Sequence, residues 1–321
     1  MRRSPADLRV SAVLATAVGP LRLRSPVMTA SGTSGHGAEL AAYGPLGELG
    51  AVVVKSLAAF RWPGNDGVRV RAAPGGSMLN RVGLQGPSVA AWRDRHLPAL
   101  LEHGATVVAS IWGRTAVELA AAAEALRRPG APGAGAGIAG VAAVEVNLSC
   151  PNLSGHPIAH SKAATAEAVA AVASVLGGSE VPLWAKLGPA VPDICELAAA
   201  ALEAGASGLT LVNTMPGMRV DVDDGRAPFV GGLSGPALHP VALRAVRDCR
   251  QAFPSTPIVG VGGVSCGRDA AELLVAGANA VQVGTATFAD PRAPWRVQDQ
   301  LAAWCARRGT SVEELSGALL R

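Results

Sequence analysis

The chain has 321 residues, of which 49% are hydrophobic and 16% charged, and its formal net charge at neutral pH is +4. This length and apolar content allow a large buried core. The low charged fraction favours additional buried surface, such as the interface of a homodimer. The basic residues are scattered and form no stripe with interleaved aromatic side chains, which argues against a nucleic-acid-binding protein.

The cysteines indicate a reducing environment. They are widely spaced and include no CxxC pair, which argues against a disulfide framework and against a zinc site. No apolar stretch reaches the roughly 18 uninterrupted residues of a membrane span, and the N-terminus shows no export signal. We therefore expect a cytoplasmic protein with no membrane association and no bound metal. The five cysteines are Cys150, Cys195, Cys249, Cys266 and Cys305.

Eight short apolar runs recur along the chain, and each is followed by Gly, Ser, Asn or Lys. Nearly continuous runs of this kind are typical of parallel strands that are covered on both faces. Residues Leu8–Leu23, before the first run, predict a small hairpin that closes the bottom of a barrel. The predicted strands are Pro26–Ser31, Ala51–Leu57, Thr106–Trp112, Ala143–Ser149, Pro182–Gly188, Gly208–Thr214, Pro257–Gly263 and Ala280–Ala286.

Segments rich in Ala and Leu lie between the runs and have helical length. Asp290-Pro291 predicts the start of a further helix, with Asp290 as the cap and Pro291 at the first helical position. Eight strands that alternate with helices predict an α/β protein with the (β/α)8 TIM-barrel fold. The other predicted helices are Ala163–Leu176, Ile194–Glu203, Pro240–Cys249 and Arg268–Ala276.

An open, doubly wound sheet is the alternative fold. That fold usually has fewer strands and a glycine-rich first turn, which this chain lacks. Arg61–Gly86 is predicted to be a long connection, and Arg127–Gly140 a surface insertion rich in Gly, Ala and Pro. No linker separates two halves, so we predict a single domain over residues 1–321.

Polar residues stand at the ends of the predicted strands, where the functional residues of (β/α)8 barrels collect. Lys55 ends the second strand and Lys186 the fifth, and lysine is rarely buried unless it is paired. Asn147 and Asn213 end the fourth and sixth strands. Two cations beside a row of amides predict a site for a planar, anionic ligand.

The last two strands end in turns that expose backbone N–H groups, at Gly260–Gly263 and at Val283–Thr285. Such amides before helix N-termini bind phosphate, and this is a recurrent feature of the last two strands of these barrels. We therefore expect a phosphate group here, such as that of FMN. The alternative is that these glycines only form tight turns.

Cys150 directly follows the fourth strand, between Ser149 and Pro151. The other cysteines fall in or beside predicted helices, or in the turn at Val264–Gly267. A cysteine at a strand end is a candidate reactive thiol, although most free cysteines are buried hydrophobic residues.

These residues resemble those of class 1 dihydroorotate dehydrogenases, from about Pro26 to Pro291. The family's N-x-S-C-P-N signature is present at Asn147–Asn152, with the cysteine of class 1 where the membrane-associated, quinone-linked class has serine. Asn80–Leu84 resembles the family's substrate loop. Gly231–Ala237 and Pro240–Ala242 resemble the B-type subgroup, which typically partners an iron–sulfur and FAD subunit that passes electrons to NAD.

The resemblance implies that the chain oxidises dihydroorotate to orotate in pyrimidine biosynthesis. Cys150 would remove a proton from C5 while hydride passes from C6 to the flavin, and Lys186 would be the second catalytic residue. The implied FMN contacts are Ser31, Lys55, Ser56, Ser110, Asn147, Lys186, Val212, Gly235, Gly262, Gly263, Gly284 and Thr285. The implied substrate contacts are Lys55, Asn80, Val82, Gly83, Leu84, Asn147, Asn152, Asn213 and Thr214.

Two features depart from the family pattern. Trp112 stands where the family usually has a small residue, which predicts crowding of the flavin or of a subunit contact. The lid segment Leu153–His160 lacks the Gly-Gly and Phe-Gly pairs of the B-type. Two other functions therefore stay open: an FMN oxidoreductase acting on a related dihydropyrimidine or specialised metabolite, and a non-catalytic FMN-binding subunit.

Overall fold

The computed structural model describes residues 13–127, 138, 140–148, 161–177, 179–223 and 228–320. The strands are β1 (Thr16–Val18), β2 (Leu21–Leu23), β3 (Val27–Thr29), β4 (Val52–Val53), β5 (Val70–Ala73), β6 (Ser77–Asn80), β7 (Val107–Ile111), β8 (Ala143–Asn147), β9 (Leu183–Leu187), β10 (Gly208–Leu211), β11 (Met215–Arg219), β12 (Phe229–Ser234), β13 (Ile258–Val261) and β14 (Ala280–Val283). The α-helices are α1 (Val89–Arg95), α2 (Leu97–Glu102), α3 (Ala116–Leu126), α4 (Lys162–Leu176), α5 (Ile194–Glu203), α6 (His239–Ala252), α7 (Gly267–Ala276), α8 (Thr285–Ala289), α9 (Ala293–Arg308) and α10 (Val312–Leu315).

Eight parallel strands form the barrel in the order β3, β4, β7, β8, β9, β10, β13 and β14. The last strand pairs with the first, and the Met28–Ala51 bridge joins β3 to the segment that leads into β4. The predicted (β/α)8 fold is therefore confirmed. The predicted hairpin is present as the antiparallel pair β1–β2, while the beginning of the range predicted for it lies outside the described residues.

The barrel interior has an apolar layer at the bottom and a polar layer above it. Val18 and Leu23 of the hairpin pack against Met28 and Trp184, which close the lower end of the barrel. Higher up, the inward side chains of the strands are polar yet buried. Because side chains alternate between the two faces of a strand, the outward ones form a separate core with the helices. The buried polar residues of the upper layer are Ser110, Glu145, Lys186, Thr210 and Gln282.

A second, antiparallel sheet of four strands lies at the mouth of the barrel, in the order β11, β12, β6 and β5. Two of its strands, β5 and β6, lie inside the predicted long connection Arg61–Gly86, and these strands were not predicted. These strands are short, and β6 pairs with a partner far along the chain: Asn80 opposes Gly232. Periodicity within a short window carries no signal for such long-range pairing.

The helices largely follow their predicted bounds. Helix α5 spans Ile194–Glu203 as predicted, and the Asp193 side chain accepts a hydrogen bond from the Cys195 N–H at its start. The predicted start at Asp290-Pro291 is wrong. Helix α9 begins at Ala293 with Pro294 in its first turn, while Asp290 ends α8 and accepts from the Arg292 N–H. Among the described helices, none has the length and apolar character needed to cross a membrane.

Candidate active site

A cavity of about 380 Å³ opens at the carboxyl ends of the barrel strands, roofed by the small sheet. Its size falls within the usual range for small-molecule and cofactor sites. Most of the residues predicted from strand ends and from the family resemblance line this one cavity. They are Ser31, Lys55, Ser56, Asn80, Val82, Gly83, Leu84, Asn147, Lys186, Val212, Asn213, Thr214, Gly235, Gly262, Gly263, Gly284 and Thr285.

Three predicted residues do not appear in this lining. Ser110 is fully buried behind Ser56, and the two hydroxyl oxygens are 2.9 Å apart, so Ser110 supports Ser56 from below. Cys150 and Asn152 lie outside the described residues, as do the lid segment and most of the Arg127–Gly140 loop.

Hydroxyl and amide groups form one connected network along the cavity floor. The Ser56 hydroxyl lies 3.1 Å from that of Ser31 and accepts a hydrogen bond from the Asn147 amide at 3.1 Å. The Asn213 amide donates to the Asn147 oxygen at 3.1 Å, and its own oxygen accepts from the Thr214 N–H at 2.8 Å. These bonds fix the orientation of both amides, because an amide oxygen accepts and an amide N–H donates.

Lys186 is held by a carboxylate that sequence reasoning missed. Its ammonium nitrogen lies 3.3 Å from Glu145 Oε1, and Gln282 Nε2 donates to Glu145 Oε2 at 2.8 Å. The side chains of Lys186 and Glu145 are 5% and 0% exposed. A signal was available in the sequence. Glu145 stands two residues before Asn147 in an otherwise apolar strand, so alternation points it inward, where a buried lysine needs an anion.

Lys55 connects the second strand to the predicted substrate loop. Its ammonium group donates to the Gln85 carbonyl oxygen at 2.6 Å, directly after the Asn80–Leu84 segment. Within that segment Leu84 adopts a φ of 60°, a left-handed conformation that costs a non-glycine residue about 1 kcal/mol. The Asn80 amide donates to the Gly232 carbonyl at 3.3 Å, so the small sheet holds the other end of the loop. The loop is therefore held in a defined shape over the cavity.

His36 is half-buried beside this loop, and its pKa is lowered from 6.5 to about 4. Burial is the largest cause, followed by the positive charges of Lys55 and His96, while Glu39 opposes the shift. Because the unfolded chain binds the proton more tightly, stability is lost as the pH falls from about 6.5 towards 4.

The urea midpoint of unfolding should fall between pH 6.5 and pH 4, and we expect this fall to be smaller in His36→Gln than in the unchanged protein. The exposed His103 provides the matched control, because His103→Gln should keep the steeper pH dependence of the unchanged protein. Equal slopes for the unchanged protein and His36→Gln would contradict this account.

The first of the two glycine turns at the end of the barrel needs a residue without a side chain. Gly263 has a φ of 70°, and a Cβ placed on it would lie 2.6 Å from the His239 Cβ. The His239 ring joins this turn to α7, with Nδ1 at 2.9 Å from the Gly262 carbonyl oxygen and Nε2 at 3.1 Å from Glu272. At the other turn, Thr285 donates to the Ser234 hydroxyl at 2.8 Å, which joins the eighth barrel strand to the small sheet.

Arg296 also lines the cavity at this end and was not predicted. It donates to the Ser265 carbonyl at 3.1 Å and pairs with Asp290 at 3.2 Å. No pattern in the sequence separates it from the other surface arginines, since only the packing of α9 brings it to the cavity. An arginine beside two glycine turns suits a phosphate group, and the two lysines suit an anionic ring, so the residues present fit a flavin mononucleotide.

Trp112 does not line the cavity, and the prediction that it crowds the flavin is wrong. It is 1% exposed, and its ring packs edge-on against Phe60 and Trp62, at centroid distances of 5.8 and 6.1 Å. Burial within its own chain also removes it from any subunit contact. Strand β7 ends at Ile111, so strict alternation no longer decides where the next side chain points.

Residues 13–304 match the family model described as dihydroorotate dehydrogenase. The chain is 41% identical over 311 residues to a protein of Geobacter sp. (strain M21), which covers 95% of this chain and 98% of the relative. The chain belongs to the dihydroorotate dehydrogenase family. It is also 40% identical to a protein of Geobacter metallireducens over 310 residues, with the same coverage, and to one of Solidesulfovibrio magneticus over 297 residues, with 92% and 93% coverage. All three relatives are named dihydroorotate dehydrogenase B (NAD(+)), catalytic subunit.

Membership in the dihydroorotate dehydrogenase family confirms the resemblance seen in the sequence. The chain is a flavin-dependent oxidoreductase with a TIM-barrel fold, as predicted. The interpretation as a non-catalytic scaffold also fits the cavity poorly, because a scaffold needs neither the paired Lys186 nor the connected amides. The roles of individual residues, and the single domain over residues 1–321, remain predictions.

Proposed function

We propose that this chain is the catalytic subunit of an NAD-linked dihydroorotate dehydrogenase, which binds FMN and oxidises (S)-dihydroorotate to orotate in pyrimidine biosynthesis. The observation that carries the proposal is one cavity in which two lysines, an amide network and two glycine turns come together. The relatives at 40 to 41% identity are named for this activity.

FMN is the cofactor that this set of residues favours. Gly262, Gly263, Gly284 and Thr285 would hold its phosphate together with Arg296. When bound, FMN supplies the acceptor for the hydride that leaves the substrate. The remaining proposed contacts are Ser31, Lys55, Ser56, Asn147, Lys186, Val212 and Gly235, with Ser110 acting through Ser56.

The substrate is a dihydropyrimidine with a carboxylate, and the cavity offers groups that suit both parts. Asn80, Asn147 and Asn213 each provide a donor and an acceptor for ring amides. Lys55 provides a cation for the carboxylate. Val82, Gly83 and Leu84 of the loop, together with Asn152 and Thr214, complete the proposed substrate contacts.

Cys150 is the proposed base. It stands three residues after Asn147, so covalent geometry keeps the two within about 11 Å of each other. A thiolate is the competent form for removing the C5 proton, and cations near the cavity favour that form. Lys186 is the proposed second catalytic residue, because its ammonium group is fixed at the floor of the cavity.

Electron transfer to NAD would use a partner subunit that carries an iron–sulfur cluster and FAD. The relatives are named as catalytic subunits of an NAD-linked enzyme, which supports this part of the proposal. A homodimer is supported by exposed apolar residues on the small sheet, including Met218 and Val230, which lie opposite each other on β11 and β12. The free thiols of Cys195, Cys249, Cys266 and Cys305 are consistent with a reducing cytoplasm.

Anaerobic reduction of the bound flavin tests the proposal. Dihydroorotate is expected to bleach the yellow FMN absorbance within seconds, whereas dihydrouracil, which lacks the carboxylate, is expected to leave it unchanged. Bleaching by dihydrouracil alone would favour the alternative of a related dihydropyrimidine dehydrogenase, and a protein that cannot be loaded with FMN would contradict both. Reoxidation with NAD, fumarate or oxygen then identifies the acceptor.

A further inference from the structure

Glu145, Lys186 and Gln282 form a buried group in the polar layer below the cavity. Glu145 and Lys186 point inward from the neighbouring strands β8 and β9, whereas Gln282 comes from β14. In the closed order of eight strands, β14 lies four positions away from β8, on the opposite wall. The hydrogen bond from Gln282 to Glu145 therefore crosses the barrel interior, and Glu145 is held between its two walls.

The two carboxylate oxygens of Glu145 have separate partners. Oε1 contacts the Lys186 ammonium, and Oε2 accepts from the Gln282 amide. A buried charge is tolerated only when it is paired and hydrogen-bonded, and this arrangement satisfies both oxygens. Gln282 must present its N–H group to the carboxylate, which leaves its Oε1 as a buried oxygen with no hydrogen-bond partner among the described residues. The hydrogen bond to the Glu145 carboxylate therefore sets the orientation of the Gln282 amide.

Only one member of this group lines the cavity. Lys186 belongs to the cavity wall, while Glu145 and Gln282 do not. Glu145 can therefore affect a ligand in the cavity only through its charge or by holding the Lys186 side chain in place. The pair carries no net charge, but its positive end lies at the cavity and its negative end below it.

We propose that Glu145 is a positioning residue that holds the Lys186 ammonium at the cavity floor and sets the reduction potential of the bound flavin. The inference rests on the proposed function, because it requires FMN in this cavity. The negative charge of Glu145 offsets part of the stabilisation that Lys186 gives to the anionic reduced flavin. Removing that charge while keeping the shape leaves a net positive charge below the cavity, where little water screens it.

The decisive variant is Glu145→Gln, measured as FMN-loaded protein by anaerobic redox titration. Compared with the unchanged protein, the variant is expected to favour reduced over oxidised flavin by about a further tenfold. For a two-electron couple this is a positive shift of about 30 mV in the reduction potential. In a Lys186→Met background the same substitution should produce a markedly different shift, because the group that Glu145 positions is then missing. Thr210→Val is the matched control: Thr210 pairs with Lys186 in register, and its buried hydroxyl has no hydrogen-bond partner in the described part of the chain, so the potential should stay unchanged.

The outcomes separate this inference from the proposed function. If the unchanged protein does not bind FMN, the proposed function fails. If FMN binds and Glu145→Gln leaves the potential unchanged, or shifts it equally with and without Lys186, the positioning role is overturned. Should Glu145→Gln not fold, Gln282→Met replaces it. This variant keeps both charges but removes the amide N–H that disperses the charge of the carboxylate, so the potential should fall, and an unchanged value would overturn the inference.

Discussion

Replacing Cys150 with serine is expected to leave a yellow, FMN-loaded protein that dihydroorotate reduces very slowly at neutral pH. A serine hydroxyl is far less acidic than a thiol, so it is almost never present as the anion that removes the C5 proton. Loss of a positioned base lowers the rate by on the order of 10²–10⁴-fold. The measurement is the rate of flavin bleaching in an anaerobic stopped-flow instrument, and the rate should recover partly as the pH rises.

Cys266→Ser is the matched control for this experiment. Cys266 precedes α7 at the N-cap position, where serine is also favourable, so folding and flavin reduction should both stay as in the unchanged protein. Flavin reduction at the normal rate in Cys150→Ser would remove Cys150 from the mechanism. Loss of the yellow colour would instead show a structural role for this cysteine.

The second large effect is expected for Gly263→Ala, which should weaken FMN binding by tenfold or more. The added methyl group would lie 2.6 Å from the His239 Cβ and 3.0 Å from the Gly235 carbonyl oxygen, so the turn must move away from its present position. The positive φ adds a backbone cost of about 1 kcal/mol to the free energy of folding. Titration of the apoprotein with FMN, followed by quenching of flavin fluorescence, measures the dissociation constant.

Gly309→Ala is the control that separates the cost of a positive φ from the cost of a steric clash. Gly309 has a φ of 62° at the end of α9, and an added Cβ would meet no atom of the described residues within 4 Å. Gly309→Ala should therefore lose about 1 kcal/mol of unfolding free energy yet bind FMN normally. Equal FMN affinity in the two variants would show that the turn at Gly263 does not hold the cofactor.

Local patterns in the sequence were sufficient to predict the barrel. Each barrel strand is a short, mainly apolar run covered on both faces, and some helices begin at a recognisable cap, as at Asp193 before α5. The cavity followed from one further rule, because the carboxyl ends of parallel strands meet at one end of a barrel. Lys55, Asn147 and Lys186 were thereby assigned to one site although they are far apart in the chain.

Two features that sequence reasoning missed depend on contacts between distant segments. The small sheet requires the pairing of β6 with β12, and Arg296 reaches the cavity only through the packing of α9. The position predicted for Trp112 was wrong because β7 ends one residue before it. Its ring instead packs against Phe60 and Trp62.

The sequence by itself determined the fold, the family and most of the residues around the cavity, because periodicity, strand ends and the Asn147–Asn152 motif are local properties. The tertiary structure alone decided how these groups are held. The Lys186–Glu145 pair, the amide network from Ser56 to Asn213 and the bond from Gln282 across the barrel each join separate strands. Their geometry depends on barrel closure, which brings residues that are far apart in the chain within a few ångströms of each other.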